Sequence, residues 1–131
     1  MGKISRGMVV FIGIAENDSE RDVVYLADKI INLRIFSDEK DKLNLSVLDI
    51  KGGLLLISQF TLLADTRKGR RPSFIGAAVP DKAESLFNAF TEVVRLSGLE
   101  TYTGRFQKHM IVEIINDGPV TIMIDSKDKI V

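Results

Sequence analysis

Few residues in this chain can do chemistry, and their scarcity narrows the reactions open to it. The chain has one histidine, His109, and no cysteine. A thiol nucleophile and a thiolate metal site are therefore excluded, and a histidine-based triad would have to pass through His109. That residue adjoins an apolar run starting at Met110, with no serine or carboxylate at a motif-like spacing, and reads as a surface or strand-end side chain. Paired histidines and clustered acid–histidine spacings are missing, as are a P-loop and a glycine-rich dinucleotide fingerprint, so neither a metal nor a cofactor is expected. Two short segments remain. Ser58-Gln59-Phe60-Thr61 ends an apolar run. If the strand continues through it, alternation puts Gln59 and Thr61 on one face and Ser58 and Phe60 on the other, and polar groups there can hold a ligand. Taken alone, the segment more often describes a strand leaving the core. The other segment is Asn116-Asp117-Gly118-Pro119-Val120-Thr121. Proline fixes φ, removes a donor, and is the one residue before which a cis peptide is affordable. Two carbonyls held side by side at Gly118-Pro119 would form a wall without a side chain, able to exclude a substituent by shape. An ordinary turn between two strands is the plainer reading.

These segments need elements to position them. Residues 8–14 form a β-branched and aromatic run ending in Gly13-Ile14, which predicts a buried strand. Val23, Leu26, Ala27, Ile30 and Leu33 recur at helical spacing after Asp18 or Ser19 as cap, which predicts an amphipathic helix. Residues 34–36 suggest a short strand, and residues 43–50 are ambiguous in period and are left irregular. Lys51-Gly52-Gly53 signals a turn into a strand over 54–61, apolar on both faces at its start, as a central strand would be. The segment 64–80 reads as a long loop, often a functional feature. It carries Arg67-Lys68-Gly69-Arg70-Arg71, four cations in five residues, which suits either a solvated loop or a local contact with phosphates. A second helix follows, with Asp81 and Glu84 as a capping pair, Leu86, Phe87, Phe90, Val93 and Val94 on one face, and Gly98 at its end. Two more strands are expected over 110–115 and 120–125, flanking the Gly-Pro break.

The order strand, helix, strands, helix, strands predicts an α+β fold. It would be a single domain over 1–131, with two main helices on a mixed or mostly antiparallel sheet, barrel-like as an alternative. At 131 residues with 45% hydrophobic and 27% charged side chains, the chain has room for one sizeable core. Eighteen basic residues balance 18 acidic ones, so whole-chain charge does not drive nucleic-acid binding and any RNA contact must be local. The start, Met1-Gly2-Lys3-Ile4-Ser5-Arg6, lacks the order of a signal peptide, and no apolar run nears the ~20 residues that span a bilayer. Together with the missing cysteines, this points to the cytoplasm and away from membranes.

The two weak segments gain weight together. Ser58-Gln59-Phe60-Thr61, Arg71-Pro72-Ser73-Phe74 and Asn116-Asp117-Gly118-Pro119-Val120-Thr121, in this order, resemble the D-aminoacyl-tRNA deacylases. So do Asn32-Leu33-Arg34-Ile35-Phe36, Asn44-Leu45-Ser46, Ala64-Asp65-Thr66-Arg67-Lys68-Gly69 and Thr103-Gly104-Arg105-Phe106. The resemblance implies a homodimeric hydrolase that cuts the ester between a D-amino acid and the 3′-terminal adenosine of tRNA. It implies that Gly118 and Pro119 enter the other subunit's pocket as a chiral filter. Ser58, Gln59, Phe60 and Thr61 would line the scissile ester, with amides around Phe60 and Thr61 facing the developing oxyanion. Phe106 and Met110 would wall the pocket or hold the adenosine. Thr61 as a nucleophile would need an activating base, and none stands beside it in the sequence, so a positioning role is preferred, with a substrate 2′-hydroxyl assisting water. Relatives carry a further strand and turn before the segment matching Gly2 to Gly7, and without them a sheet edge is expected to stay open. Two alternatives are a related editing deacylase for a small L-amino acid or glycine, and a silent RNA-binding or dimerisation module.

Overall fold

A computed structural model describes residues 2–128; Met1 and residues 129–131, the two ends of the expected 1–131 domain, lie outside the described residues. The elements in chain order are β1 (Gly7–Ile12), α1 (Glu20–Asn32), β2 (Phe36–Ser37), β3 (Leu43–Leu45), α2 (Val47–Ile50), β4 (Gly53–Ser58), α3 (Pro80–Arg95) and β5 (Thr101–Thr103). Short 3-10 turns occupy Phe60–Leu63 and Ser126–Asp128.

β1, β4 and β5 form a three-stranded sheet with β4 in the middle, parallel throughout, while β2 and β3 pair antiparallel. The fold is therefore α+β with strands mixed in direction, and no closed barrel forms among the described residues. Parallel neighbours cannot be joined by a hairpin and need a crossover. The first crossover carries α1, β2, β3 and α2; the second carries the 64–79 loop and α3. The central strand is apolar on both faces, as the run Leu54-Leu55-Leu56-Ile57 requires. Leu54 and Leu56 point to the side where α1 and α3 lie, and join Ile12, Val23, Ala27, Ile30, Leu86, Phe87, Phe90 and Val94 in one buried core. The expected faces of both helices are the buried ones.

In α1 the cap is Ser19, one of the two expected, and its N–H donates to the Asp22 carboxylate at 2.8 Å. Several other expectations need correction. In α3 the Asp81–Glu84 capping pair does not form. Val79 is the cap without a side-chain bond, and Pro80 opens the helix, where its missing N–H costs nothing. That helix ends at Arg95, with Gly98 in the left-handed region beyond it at φ +83°. Residues 43–50 are regular after all: β3 leads to Ser46, whose hydroxyl accepts from Asp49 N–H at 3.1 Å while its own N–H donates to the Asp49 carboxylate at 2.8 Å. This reciprocal capping box starts α2. The strands expected over 110–115 and 120–125 are not formed; neither run pairs with a neighbouring strand among the described residues, and Ile111, Ile115 and Met123 are 86%, 98% and 90% exposed. Alternating apolar residues encode a face but not a partner for the backbone.

Three carboxylates shape turns as acceptors. Asp38 takes the amides of Lys42 and Lys40 and the Asn44 side chain; Asp49 takes the Ser46 amide; Asp65 takes the Arg67 guanidinium. Each is held below the ordinary carboxylate value by these bonds, led by Lys42, Ser46 and Arg67 respectively. A depressed folded-state value means stability that is fully present above the unfolded value and lost as pH falls through the lowered one. Asp49→Asn is expected to lower the urea midpoint at neutral pH, with its curve meeting the parent's in acid. A midpoint gap that stays constant down through the carboxylate range would contradict this account of the α2 cap.

Candidate active site

β4 ends at Ser58, and the chain then leaves the extended path. Gln59 has φ −140° and ψ 86°, its N–H donates to the Ile12 carbonyl at 2.8 Å, and Phe60–Leu63 wind into the 3-10 turn. The expected strand faces therefore do not hold beyond Ser58: Gln59, Phe60 and Thr61 occupy successive positions of a turn and not alternate sides of a sheet. Leu62 N–H bonds the Gln59 carbonyl at 3.2 Å and Ala64 N–H bonds the Thr61 carbonyl at 3.2 Å. The amides of Phe60 and Thr61, at the opening of this turn, have no acceptor among the described residues, as befits the unsatisfied first donors of a helical turn. The Gln59 side-chain amide donates to the Thr61 hydroxyl. Phe60 is 58% exposed, with its ring edge-on to Phe74 at 5.0 Å between centroids. The result is a small exposed platform of backbone donors, an amide–hydroxyl pair and an aromatic pair, at the C-terminal ends of two parallel strands.

Gly13, just after β1, makes room for this turn. A Cβ there would lie 2.4 Å from Leu63 Cδ2, 3.1 Å from Leu62 Cβ and 3.3 Å from the Gln59 carbonyl oxygen. The Leu63 methyl can rotate away, but Leu62 Cβ and the Gln59 backbone cannot. No motif marks Gly13 in the sequence; its only trace there is a glycine closing an apolar run.

Gly118-Pro119 is cis. Gly118 sits at φ +137°, where an L side chain is strained, and a Cβ would also meet Val120 Cγ2 at 3.1 Å and Val120 N at 3.2 Å. The tip is closed by Asn116, whose side chain donates to the Thr121 hydroxyl at 2.9 Å and accepts from Val120 N–H at 3.2 Å. Both tip residues are exposed. Within one chain no hydrogen bond, ion pair or ring contact among the described residues joins this tip to the Ser58–Thr61 turn. Phe106 and Met110 are half-buried beyond β5, with Met110 against Gly104, where a Cβ would come 2.6 Å from the Met110 sulfur. His109 is exposed and has no hydrogen bond or ion pair among the described residues. A shallow depression on α1, lined by Glu20, Arg21, Val24 and Tyr25, holds none of the residues expected in the site. No described helix is long and apolar enough to cross a membrane.

If Gly13 sets the position of the turn, Gly13→Ala displaces Gln59 from Ile12. Amide exchange at Gln59 is then expected to quicken by about tenfold, while the amides of α3 keep their protection. Unchanged exchange at Gln59 would show that the turn absorbs the methyl group.

The comparisons with known proteins agree with one another. The family model of D-Tyr-tRNA(Tyr) deacylase matches residues 1–125. A D-aminoacyl-tRNA deacylase of Desulforamulus reducens is 57% identical over 127 residues, covering 97% of this chain and 85% of the relative. One from Thermotoga petrophila is 53% identical over 126 residues, covering 96% and 85%. Among solved structures, the c-Myc DNA Unwinding Element Binding Protein superposes with a TM-score of 0.84 at 40% identity, covering 91% of this chain and 81% of that one. A probable eukaryotic D-amino acid tRNA deacylase, at TM-score 0.70 and 16% identity over 81% and 77% of the two chains, shares the fold. By the family match and by these relatives, the chain belongs to the D-Tyr-tRNA(Tyr) deacylase family.

Proposed function

We propose that this chain hydrolyses the ester between a D-amino acid and the 3′-terminal adenosine of tRNA, at the turn formed by Ser58, Gln59, Phe60 and Thr61. Besides family membership, the observation that carries this placement is the pair of unpartnered amides at Phe60 and Thr61. Ester hydrolysis passes through a tetrahedral oxyanion, and donors already aimed at that charge lower the barrier without reorganising at the moment of reaction. Water attacks the carbonyl carbon, the carbonyl oxygen takes the negative charge and accepts from these amides, and the ribose 3′-oxygen leaves with a proton. The attacking water is assisted by the 2′-hydroxyl of the substrate.

Thr61 acts as a positioning residue. Its hydroxyl accepts from Gln59, and no carboxylate or imidazole among the described residues hydrogen-bonds it, which leaves a nucleophile without its base. Gly118 and Pro119 work across a homodimer interface, entering the partner's site so that their backbone leaves no room for an L side chain. Two features support this arrangement: the tip is exposed and makes no hydrogen bond, ion pair or ring contact with its own turn among the described residues, and the runs beside it carry exposed Ile111, Ile115 and Met123. Phe106 and Met110 wall the pocket near the adenosine. The enzyme works in the cytoplasm, where charged tRNA is found, and needs no cofactor.

Purified protein is expected to release free tRNA from D-tyrosyl-tRNA and to spare L-tyrosyl-tRNA. No turnover of the D-ester above buffer would sink the proposal, and preferred turnover of glycyl-tRNA would move it to the related editing activity. Thr61→Ala should keep measurable activity, losing roughly fivefold, the worth of about one hydrogen bond. Complete loss would restore the nucleophile. In Gly118→Ala the strained backbone, a cost of about 1–3 kcal/mol, should displace the tip and cut D-over-L discrimination by roughly tenfold. Sedimentation equilibrium checks the dimer.

A further inference from the structure

The basic segment noted in the sequence has a defined place in the fold. Antiparallel bonds between Asp65 and Ser73, at 2.7 and 2.9 Å, close the base of a loop. Asp65 also grips Arg67 through Nε at 2.9 Å and a terminal guanidinium nitrogen at 2.8 Å, which uses one cation as a brace. Farther along, Glu16 N–H bonds the Gly76 carbonyl at 2.9 Å and Ala78 N–H bonds the Ile14 carbonyl at 2.9 Å, so the returning strand of the loop is fastened beside β1. Gly69 turns the tip at φ +67°. Lys68, Arg70 and Arg71 are exposed and have no carboxylate partner among the described residues, and no acidic residue occurs from Thr66 to Pro80. Where basic and acidic residues balance at 18 each, this is a local concentration of unpaired positive charge on a rooted scaffold.

Its position relative to the turn gives it a partner. Phe74, at the returning end of the loop, packs edge-on against Phe60 at 5.0 Å. A chain whose 3′ end is held at Phe60 and Thr61 would start beside the root of this loop, three residues from Arg71. We propose that Lys68, Arg70 and Arg71 form a docking surface for the sugar–phosphate backbone of the RNA leading away from the scissile ester, holding the acceptor end by charge and not by sequence. The inference rests on the deacylase reading above, and on the physics by which neutralised phosphates release counterions.

The test compares parent protein with the triple variant Lys68→Ala, Arg70→Ala, Arg71→Ala, leaving the Arg67 brace intact. Binding of uncharged tRNA is followed by anisotropy across salt concentration, and hydrolysis is followed with D-tyrosyl-tRNA and with D-tyrosyl-adenosine, which has no phosphates. The variant is expected to bind tRNA at least tenfold more weakly, with a log–log salt slope shallower by about two to three. Its kcat/KM should fall on D-tyrosyl-tRNA and stay within about twofold on the adenosine ester. Arg70→Lys with Arg71→Lys should restore the slope. Equal losses on both esters would show that the loop shapes the catalytic turn instead, and unchanged tRNA binding and slope would overturn the docking surface. So would variant-sensitive binding to phosphatidylserine vesicles with tRNA binding unaffected. If neither ester is hydrolysed by the parent, the deacylase reading fails, and the tRNA-binding comparison still decides the docking surface.

Discussion

The parallel pairing of β1 with β4 is the constraint on which the rest of this structure depends. Its register runs from Gly7 opposite Gly53 to Ile12 opposite Ser58, and it continues one bond farther through Gln59 N–H and the Ile12 carbonyl. A parallel pair obliges the chain to cross over a layer of helix, which puts α1 and α3 against Leu54 and Leu56. It also makes both strands end at the same edge. The Ser58–Thr61 turn, Gly13, and the anchored return of the basic loop all gather there because the strands that deliver them point the same way.

Much of this was legible in the residues, for reasons that differ by element. The helix faces were readable because Val23, Ala27, Ile30, Leu86, Phe87, Phe90 and Val94 serve a single buried core, and periodicity reports burial directly. The central strand was readable because its residues are apolar on both sides. The site was legible as a segment but not as a shape. Nothing in Ser58-Gln59-Phe60-Thr61 announces that extended backbone stops at Ser58, since the cause lies in Ile12 and Gly13, more than forty residues earlier. The α2 cap was written in Ser46 and Asp49, yet it starts a helix of one turn, too short for any period to show. The runs 110–115 and 120–125 failed for the opposite reason: the pattern suits a strand, and among the described residues no neighbour completes it.

The candidate site is consistent with a protein of one histidine and no cysteine in a deacylase family. The polar equipment of the Ser58–Thr61 turn is mostly backbone: two amides without an acceptor among the described residues, beside a single amide–hydroxyl pair. Such a site depends on placement, and placement depends on packing, so residues with no reactive group, Gly13 above all, matter as much as Thr61.

The Asn116 side chain, bonded to both Val120 and Thr121, closes the tip from within its own loop. A loop held in this way has already lost most of its conformational freedom before it meets anything. A loop of this kind would forfeit little further ordering entropy on entering a binding cleft, leaving the free energy of contact for affinity and for rigid refusal of a group that does not fit.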